Sequence, residues 1–369
     1  MNTRIVSIEQ KLFGLLRESL WGKPFDEVIT PEEAAGMIAI ARKQTVTGLI
    51  IDVLIKKGVR MERQTLFEAM ALLKHIRQQS QEMNRHVVKF AQMMRETDVD
   101  YIIVKGQTLA ALYPDPLLRM PGDIDFLVRD YNKAANVLHD RWNIDLPQSL
   151  CEKEFAFRYG NALYELHTYL INFGLHRHLR YWENVLAKSS PVYIVIDGKQ
   201  VRIIEPTLYT VYIFVHLFFH FVREGIGLRH LCDWAIMMHH YKDEIDRDFL
   251  VEVLNNLGLL KAFRTFGSII VDYLGMENFP LLISQNDRQM QSRIIHDIMY
   301  GGNFGKDRRK VKGIGFSRKV ETLWLTFSNS FRYLSLAPSE LLMLTYRRIV
   351  VNLKIAIYSV RQTAGKNLS

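Results

Sequence analysis

The chain has 369 residues, of which 48% are hydrophobic and 24% charged, so it is long enough for two or three globular domains with a sizeable core. Its two cysteines, Cys151 and Cys232, exclude a disulfide framework and a thiolate metal site, and they favour a reducing compartment. The formal net charge of +9 predicts an anionic partner, which could be a nucleotide, a nucleic acid or an acidic surface.

The start of the chain, MNTRIVSIEQKLFGLLRESL, has charges spread through its apolar positions and lacks a small-residue cleavage site. This pattern predicts an amphipathic helix and argues against a signal peptide. The longest uncharged apolar run, Leu208 to Val222, is shorter than the roughly 20 residues that span a bilayer. We therefore expect a cytoplasmic protein without membrane insertion.

Apolar residues recur at spacings of three and four from Ile5 to about Glu96, which predicts an N-terminal helical region over residues 1–97. Thr30 is a helix start signal, and Gly58 is a stop signal. This region contains no convincing strand pattern.

The spacing changes at Asp100. The stretch DYIIVKG predicts a short buried strand, GQTLAALY one or two helical turns, and DIDFLVRD a second strand, which a helix follows from Tyr131 to Arg141. Asp197-Gly198 is a strong hairpin signal. Together these elements predict a small α+β core over residues 98–205. Further strands are predicted at Phe155–Tyr159, Ala162–Leu170, Tyr193–Ile196 and Val201–Ile203.

Helical spacing returns at residue 206 and continues to residue 369, which predicts a C-terminal helical domain. Within it, the basic stretch from Lys306 to Lys319 predicts an exposed loop or linker, and RNA or phosphate binding there is left open. The predicted fold class is α+β, with a small mixed β-sheet core flanked by N-terminal and C-terminal helical regions.

Asp123 and Asp125 stand at the head of an apolar strand. Because side chains alternate along a strand, both carboxylates point to one face and Ile124 points to the other. Two neighbouring anions repel each other unless a cation lies between them, and Mg²⁺ is a common solution. The alternative is that the aspartates cap the strand end or pair with Arg119 and Arg129.

Upstream, the strand that ends at Lys105-Gly106 runs directly into a helix. Backbone N–H groups at such a junction can bind phosphate oxygens, and Gly106 lets a ligand approach the backbone closely. The second glycine and the Lys-Ser/Thr pair of a Walker loop are absent, which argues against a P-loop ATPase.

Downstream, a third carboxylate lies in the predicted strand ALYELHTYL. Alternation places Glu165 on one face of that strand together with His167. Glu165 can therefore complete a cluster of three carboxylates. The alternative is a solvent-facing strand edge that carries two polar residues.

Taken together, these pieces resemble the catalytic core of the DNA polymerase β-like nucleotidyltransferase superfamily, and the likeness covers residues 100–170. The chain departs from much of the superfamily where Gln107, instead of serine or glycine, follows Gly106. The closer similarity is to a bacterial branch of nucleotidyltransferases. Its pattern resembles VKG, then Arg119-x-x-Gly122-Asp123-x-Asp125, then Glu165-x-His167.

The resemblance implies nucleotidyl transfer from an NTP to an acceptor hydroxyl, with release of pyrophosphate and with two Mg²⁺ ions. It implies that Asp123 and Asp125 hold both ions, and that Glu165 binds the ion at the acceptor hydroxyl and serves as its base. His167 is implied to orient these groups. The acceptor is left open among a small molecule, a protein and an RNA. The residues implied to bind the nucleotide are Lys105, Gly106, Gln107, Arg119, His167 and Arg229.

Two pairs in the C-terminal helices are further candidates. His216 and His220 lie four apart, and buried core histidines are the favoured interpretation, with a zinc site or a contact to the nucleotide as alternatives. Arg229 and Asp233, also four apart, predict an internal ion pair, and a substrate contact in a cleft is the alternative.

Two other functions are kept as alternatives. A glycosyltransferase also uses Asp-x-Asp to hold a metal against a nucleotide sugar, but it needs several α/β units ahead of the motif, where this chain has about 95 residues of helical pattern. The other alternative is a catalytically inactive module that binds a nucleotide or RNA and retains the fold.

Overall fold

The computed structural model describes residues 7–147, 154–277, 279, 287–305, 316–347 and 350. The N-terminal region is helical as predicted, and among the described residues no strand precedes Tyr101. Thr30 caps the second helix by accepting a hydrogen bond from the Glu33 N–H, and Gly58 follows the third helix with a φ of 63°. The helices are α1 (Ile8–Trp21), α2 (Pro31–Lys43), α3 (Thr47–Lys56) and α4 (Arg63–Glu96).

The central region contains ten regular elements among the described residues. They are β1 (Tyr101–Val104), α5 (Gly106–Ala110), a 3₁₀ turn (Pro116–Leu118), β2 (Ile124–Val128), α6 (Tyr131–Trp142), β3 (Glu154–Tyr159), β4 (Ala162–His167), α7 (His176–Lys188), β5 (Val192–Ile196) and β6 (Lys199–Ile203). The helix α7 is absent from the prediction, although Leu179, Trp182 and Leu186 repeat in it at helical spacing. β4 ends at His167, three residues before the predicted Leu170.

Four of these strands form one sheet in the order β1-β2-β4-β3. β2 and β4 run parallel and the two outer pairs are antiparallel, so the sheet is mixed and the predicted α+β fold class is confirmed. β5 and β6 form a separate hairpin, whose turn residues Asp197 and Gly198 have φ values of 47° and 75°. These left-handed values are those of the predicted hairpin turn.

The described part of the C-terminal region is helical as predicted, and residues 351–369 of the predicted helical domain lie outside the described residues. Its elements are α8 (Pro206–Arg223), α9 (Leu228–His240), α10 (Arg247–Asn256), α11 (Leu260–Asp272), α12 (Arg288–Gly301), a 3₁₀ turn (Asn303–Gly305), α13 (Phe316–Arg332), a second 3₁₀ turn (Leu334–Leu336) and a helical segment at 338–347. Of the predicted basic loop, residues 306–315 lie outside the described residues, and from Phe316 onward the chain belongs to a helix instead of a loop.

Two expectations about the chemistry of the chain bear on the fold. No helix in the part of the chain that the structure describes is both long and apolar enough to cross a membrane. Cys232 is a buried free thiol, and Cys151 lies outside the described residues.

The two faces of the sheet pack into different cores. On one face Phe126 and Tyr164 meet Phe90 of α4, with ring centroids 4.3 and 5.8 Å from that of Phe90. On the other face Val104 and Leu127 join a larger core that includes helices from both flanking regions. Asp125 is two residues from Leu127, so the carboxylate stands on this second face and points toward the C-terminal helices.

This larger core draws on all three predicted regions of the chain, as Leu12, Val104 and Phe214 illustrate. The helical flanks and the sheet therefore share apolar contacts. The division into residues 1–97, 98–205 and 206–369 stays a prediction.

Candidate active site

The acidic residues of β2 and β4 meet because the two strands are parallel neighbours. Asp125 is paired in register with Glu165, and Leu127 with His167. Residues paired across two strands share a face, so Asp125, Glu165 and His167 converge, and their ligand atoms all lie within 4.8 Å of one another. Asp123 precedes β2, is partly buried and lines the same cavity, but it is not part of this cluster.

This cluster fits a divalent cation. Two carboxylates and one imidazole are donors that Mg²⁺, Mn²⁺ and related ions accept, with the carboxylates suiting the harder ions. Asp125 and His167 are each 2% exposed, whereas the Glu165 side chain is 24% exposed, so the cluster is open to solvent on the Glu165 side. His167 is thus a candidate ligand, besides the orienting role that the resemblance implies.

Two neighbouring side chains, Lys105 and His167, stabilise the negative charge of Asp125. Its Oδ1 atom accepts hydrogen bonds from Lys105 Nζ at 2.7 Å and from His167 Nε2 at 2.9 Å. Burial by itself raises the pKa of Asp125, but the Lys105 ammonium and the His167 hydrogen bond outweigh burial and hold that pKa below its usual range. Burial by itself lowers the pKa of Lys105, and Asp125 more than reverses this, so both groups are charged at neutral pH.

Lys105 reaches Asp125 because its backbone is unusual. Strand alternation alone directs its side chain away from the face of Asp125, but Lys105 has a φ of 58° and a ψ of −153°. Its N–H donates to Tyr209 Oη at 3.0 Å, and Thr108 Oγ1 donates to its carbonyl at 2.7 Å. A residue other than glycine in this region costs about 1–3 kcal/mol and persists only where its surroundings fix it, which often marks a functional position.

A cavity of about 310 Å³ lies over the carboxylate cluster. His216 and His220 of α8 and His230 of α9 line it, so the alternative in which α8 faces the site is the one found. His216 Nε2 lies 3.2 Å from Lys105 Nζ. In the described part of the chain, the three histidines do not form a group whose ligand atoms are close enough to hold one metal ion, so the zinc alternative finds no support. The predicted site residues that line the cavity are Lys105, Gly106, Arg119, Asp123, Asp125, Glu165, His167 and Arg229.

The prediction of an Arg229–Asp233 ion pair is wrong. Asp233 instead forms a bidentate salt bridge with Arg119, with Nε–Oδ1 and Nη2–Oδ2 distances of 2.7 and 2.9 Å. Arg229 donates a hydrogen bond to the Met120 carbonyl at 3.0 Å. Helical spacing brings residues four apart near each other, but here a tertiary contact supplies the better geometry. Tyr113 Oη also donates to Asp233, at 2.7 Å.

The alternative in which Arg119 and Arg129 pair with the two aspartates is not found. Arg119 forms its salt bridge with Asp233, and Arg129 donates to the Leu186 carbonyl at 3.3 Å. Among the described contacts, neither arginine pairs with Asp123 or Asp125. Arg119 lines the cavity, but its guanidinium is held in place and mainly anchors the loop ahead of Asp123.

Gln107 lies outside the cavity lining. Its amide donates to the Ser80 carbonyl at 3.1 Å and to Asn84 Oδ1, and it is 3% exposed. Both partners belong to α4. The Gln107 side chain therefore binds the short helix α5 to α4 and points away from the site.

Two residues of the site are absent from the prediction. His230 lines the cavity and follows Arg229 in the sequence GIGLRHLCDW. Its position next to a predicted site residue could have indicated that it belongs to the site. Tyr209 holds the Lys105 backbone from 104 positions away, and no local pattern connects the two.

The comparisons with known proteins identify a family for the chain. Residues 30–275 match the model of a family described as "Uncharacterised nucleotidyltransferase", and the chain belongs to that family. The predicted resemblance is thereby confirmed. A crystal structure of an antigenic nucleotidyltransferase-like protein from Paracoccidioides brasiliensis is 16% identical, with a TM-score of 0.34, and the match covers 56% of this chain and 98% of that chain. No curated protein matches the chain.

Proposed function

We propose that the protein transfers a nucleoside monophosphate from an NTP to an acceptor hydroxyl and releases pyrophosphate. The observation that carries this proposal is the convergence of Asp125, Glu165 and His167 on one sheet face, beside Asp123, in a member of a nucleotidyltransferase family. The reaction needs a cation-binding site and a phosphate-binding site next to each other, and the cavity offers residues for both.

Asp123, Asp125 and Glu165 would hold Mg²⁺, with His167 as a fourth candidate donor. The metal, when bound, neutralises phosphate charge and lowers the pKa of the acceptor hydroxyl. Asp125 is the rigid member of this set, because His167 fixes its Oδ1 atom from within the sheet at 2.9 Å. Glu165 is the more exposed carboxylate, which suits a residue that must meet an incoming hydroxyl and take its proton.

The triphosphate would bind to the cationic side chains of the cavity. Lys105 and Arg229 both line the cavity, and both can neutralise phosphate oxygens. Gly106 has a φ of 48°, and a Cβ atom there would lie 3.2 Å from the Asp123 carbonyl oxygen. A side chain at residue 106 would therefore crowd the segment that carries Asp123, which explains why glycine suits this position.

Histidines of α8 and α9 complete the wall opposite the sheet. Their rings can stack on or hydrogen-bond to the nucleotide or the acceptor. Because they approach from the C-terminal helices, these helices are expected to contribute to the choice of substrate.

The test uses purified protein, Mg²⁺, each of the four α-labelled ribonucleoside triphosphates in turn, and an extract of the source cells. We expect the wild type to transfer label to a small molecule, a protein or an RNA, which identifies the acceptor class. Glu165→Gln should lose transfer, and Glu68→Gln, on the exposed face of α4, should retain it. Nucleotide binding without transfer would contradict the proposal and favour a binding module, and transfer from a labelled nucleotide sugar instead would favour a glycosyltransferase.

A further inference from the structure

Lys105 and His167 share a single oxygen atom of Asp125. The ammonium lies 2.7 Å from Oδ1 and the imidazole Nε2 lies 2.9 Å from the same atom. The Lys105 side chain is 17% exposed and Asp125 is 2% exposed, so little solvent separates or screens the pair. Oδ1 is also one of the ligand atoms available to a metal ion in the cluster.

We propose that Lys105 competes directly with the divalent cation for Asp125, and that cation binding moves the ammonium from this carboxylate to the nucleotide phosphates. This inference rests on the proposed function, because it assigns Lys105 a role in the same site. It makes Lys105 a group whose contacts change between the metal-free and the metal-bound protein.

The competition follows from charge and position. An ammonium that stays 2.7 Å from Asp125 Oδ1 would lie beside any cation that the same carboxylate binds, and two like charges at that range repel strongly. His167 can remain in place, since a neutral imidazole either keeps its hydrogen bond to the carboxylate or serves as a metal ligand. Of the two side chains that contact Asp125, Lys105 is therefore the one that must move away when a cation binds.

The ammonium already contacts a second group. His216 Nε2 lies 3.2 Å from Lys105 Nζ, and this contact can persist when the contact to Asp125 is lost. The Lys105 backbone is fixed by Tyr209 and Thr108, so only the side chain needs to move. The displaced ammonium stays inside the cavity that Arg229 also lines and where phosphates would bind.

The experiment measures the affinity of the nucleotide-free protein for Mn²⁺ by electron paramagnetic resonance, in the wild type, in Lys105→Met and in Lys242→Met. A neighbouring cation changes the affinity of a carboxylate for a proton by about tenfold to a thousandfold, so we expect Lys105→Met to bind Mn²⁺ at least about tenfold more tightly than the wild type. Lys242→Met removes the same charge at an exposed position outside the cavity, where its partner is Glu277, and it should bind Mn²⁺ within about threefold of the wild type.

Three other outcomes would overturn the direct competition between Lys105 and the cation, and one of them would also overturn the proposed function. Equal gains in both variants would mean that net charge, and not a direct contact, sets the affinity. An unchanged affinity in Lys105→Met would overturn the competition and leave the proposed function standing. No Mn²⁺ binding in any of the three proteins would overturn both.

A second measurement needs no substitution. In wild-type protein with ¹³C-labelled lysine side chains, Mg²⁺ should shift the signal of one lysine, with a half-saturation equal to that of metal binding. If metal binds and no lysine signal moves, the inference is overturned.

Discussion

The Arg119 guanidinium and the Asp233 carboxylate join the segment ahead of Asp123 to helix α9 through two hydrogen bonds of 2.7 and 2.9 Å. Both side chains are less than 10% exposed. Arg229 lies one turn before Asp233 on the same helix and donates a hydrogen bond to the Met120 carbonyl of this segment. The position of Asp123 over the site thus depends on contacts with a helix more than 100 residues away in the chain.

Replacing Arg119 should destabilise the fold strongly. In Arg119→Met, Asp233 remains buried without its bidentate partner and keeps the neutral hydrogen-bond donor Tyr113, and the loss of one partner of a buried pair costs about 3–5 kcal/mol. The free energy of unfolding in urea measures this loss. The matched control is Lys242→Met, which breaks the exposed Lys242–Glu277 pair at 3.3 Å and should cost no more than about 1 kcal/mol. Equal losses in the two variants would contradict the importance of the Arg119 pair.

The same pair predicts a pH dependence of stability. Burial by itself raises the pKa of Asp233, but Arg119 outweighs burial and lowers that pKa below its usual value. A group whose pKa is lowered on folding stabilises the protein above its unfolded pKa, about 3.9 for aspartate, and this contribution is lost as the pH falls through the folded value.

We therefore expect the difference in unfolding free energy between the wild type and Asp233→Asn to stay constant from pH 7 to about pH 5 and to shrink below about pH 4. Urea titrations along this series provide the measurement. Asp26→Asn, at an exposed position, should remain within about 0.5 kcal/mol of the wild type throughout. A difference that does not change on acidification would show that Asp233 is not the group responsible.

Much of the site followed from strand alternation. Alternation was sufficient to predict that Glu165 and His167 share a strand face, and parallel pairing of β2 with β4 then brings them to Asp125. The helical flanks were also predictable, because their apolar residues repeat at three and four and Thr30 marks a start.

Other features depend on tertiary contacts that no local pattern contains. The spacing of Arg229 and Asp233 favoured an ion pair within α9, but the geometry of Arg119 against that helix decided the partner. The left-handed backbone of Lys105 was equally hidden, since a lysine in this conformation depends on Tyr209 from a distant helix. The resemblance implied that Gln107 binds the nucleotide, but its side chain donates to the Ser80 carbonyl of α4 and points away from the site.

His230 should remain neutral across the physiological range. Burial, and after it the neighbouring Arg229 guanidinium, lower the pKa of His230 to about 3. Below pH about 6.5 His230 is protonated in the unfolded chain but stays neutral in the folded protein. This histidine therefore lowers the free energy of unfolding as the pH falls.

The ¹³Cε1 chemical shift of His230 tests this directly, with His230→Gln to identify the signal. We expect a flat shift between pH 5 and 8. A titration with a midpoint near 6 or 7 would mean that the ring is solvated or paired with an anion, contrary to its position in the cavity wall.

The acidic residues of this cavity are proposed to carry nucleotidyl transfer, and a substitution of one of them tests this most directly. Asp123 is the better residue for the decisive test, because it is only partly buried, whereas replacing Asp125 would also leave the Lys105 ammonium buried beside an amide. Asp140→Asn, at an exposed position of α6, removes the same charge outside the site.

The measurement is the Mg²⁺-dependent rate of label transfer from the preferred α-labelled NTP by the wild type, Asp123→Asn and Asp140→Asn. We expect Asp123→Asn to transfer label at least about a hundredfold more slowly with its thermal unfolding midpoint unchanged, and Asp140→Asn to equal the wild type. Transfer by Asp123→Asn at the wild-type rate would show that this carboxylate does not take part in the reaction.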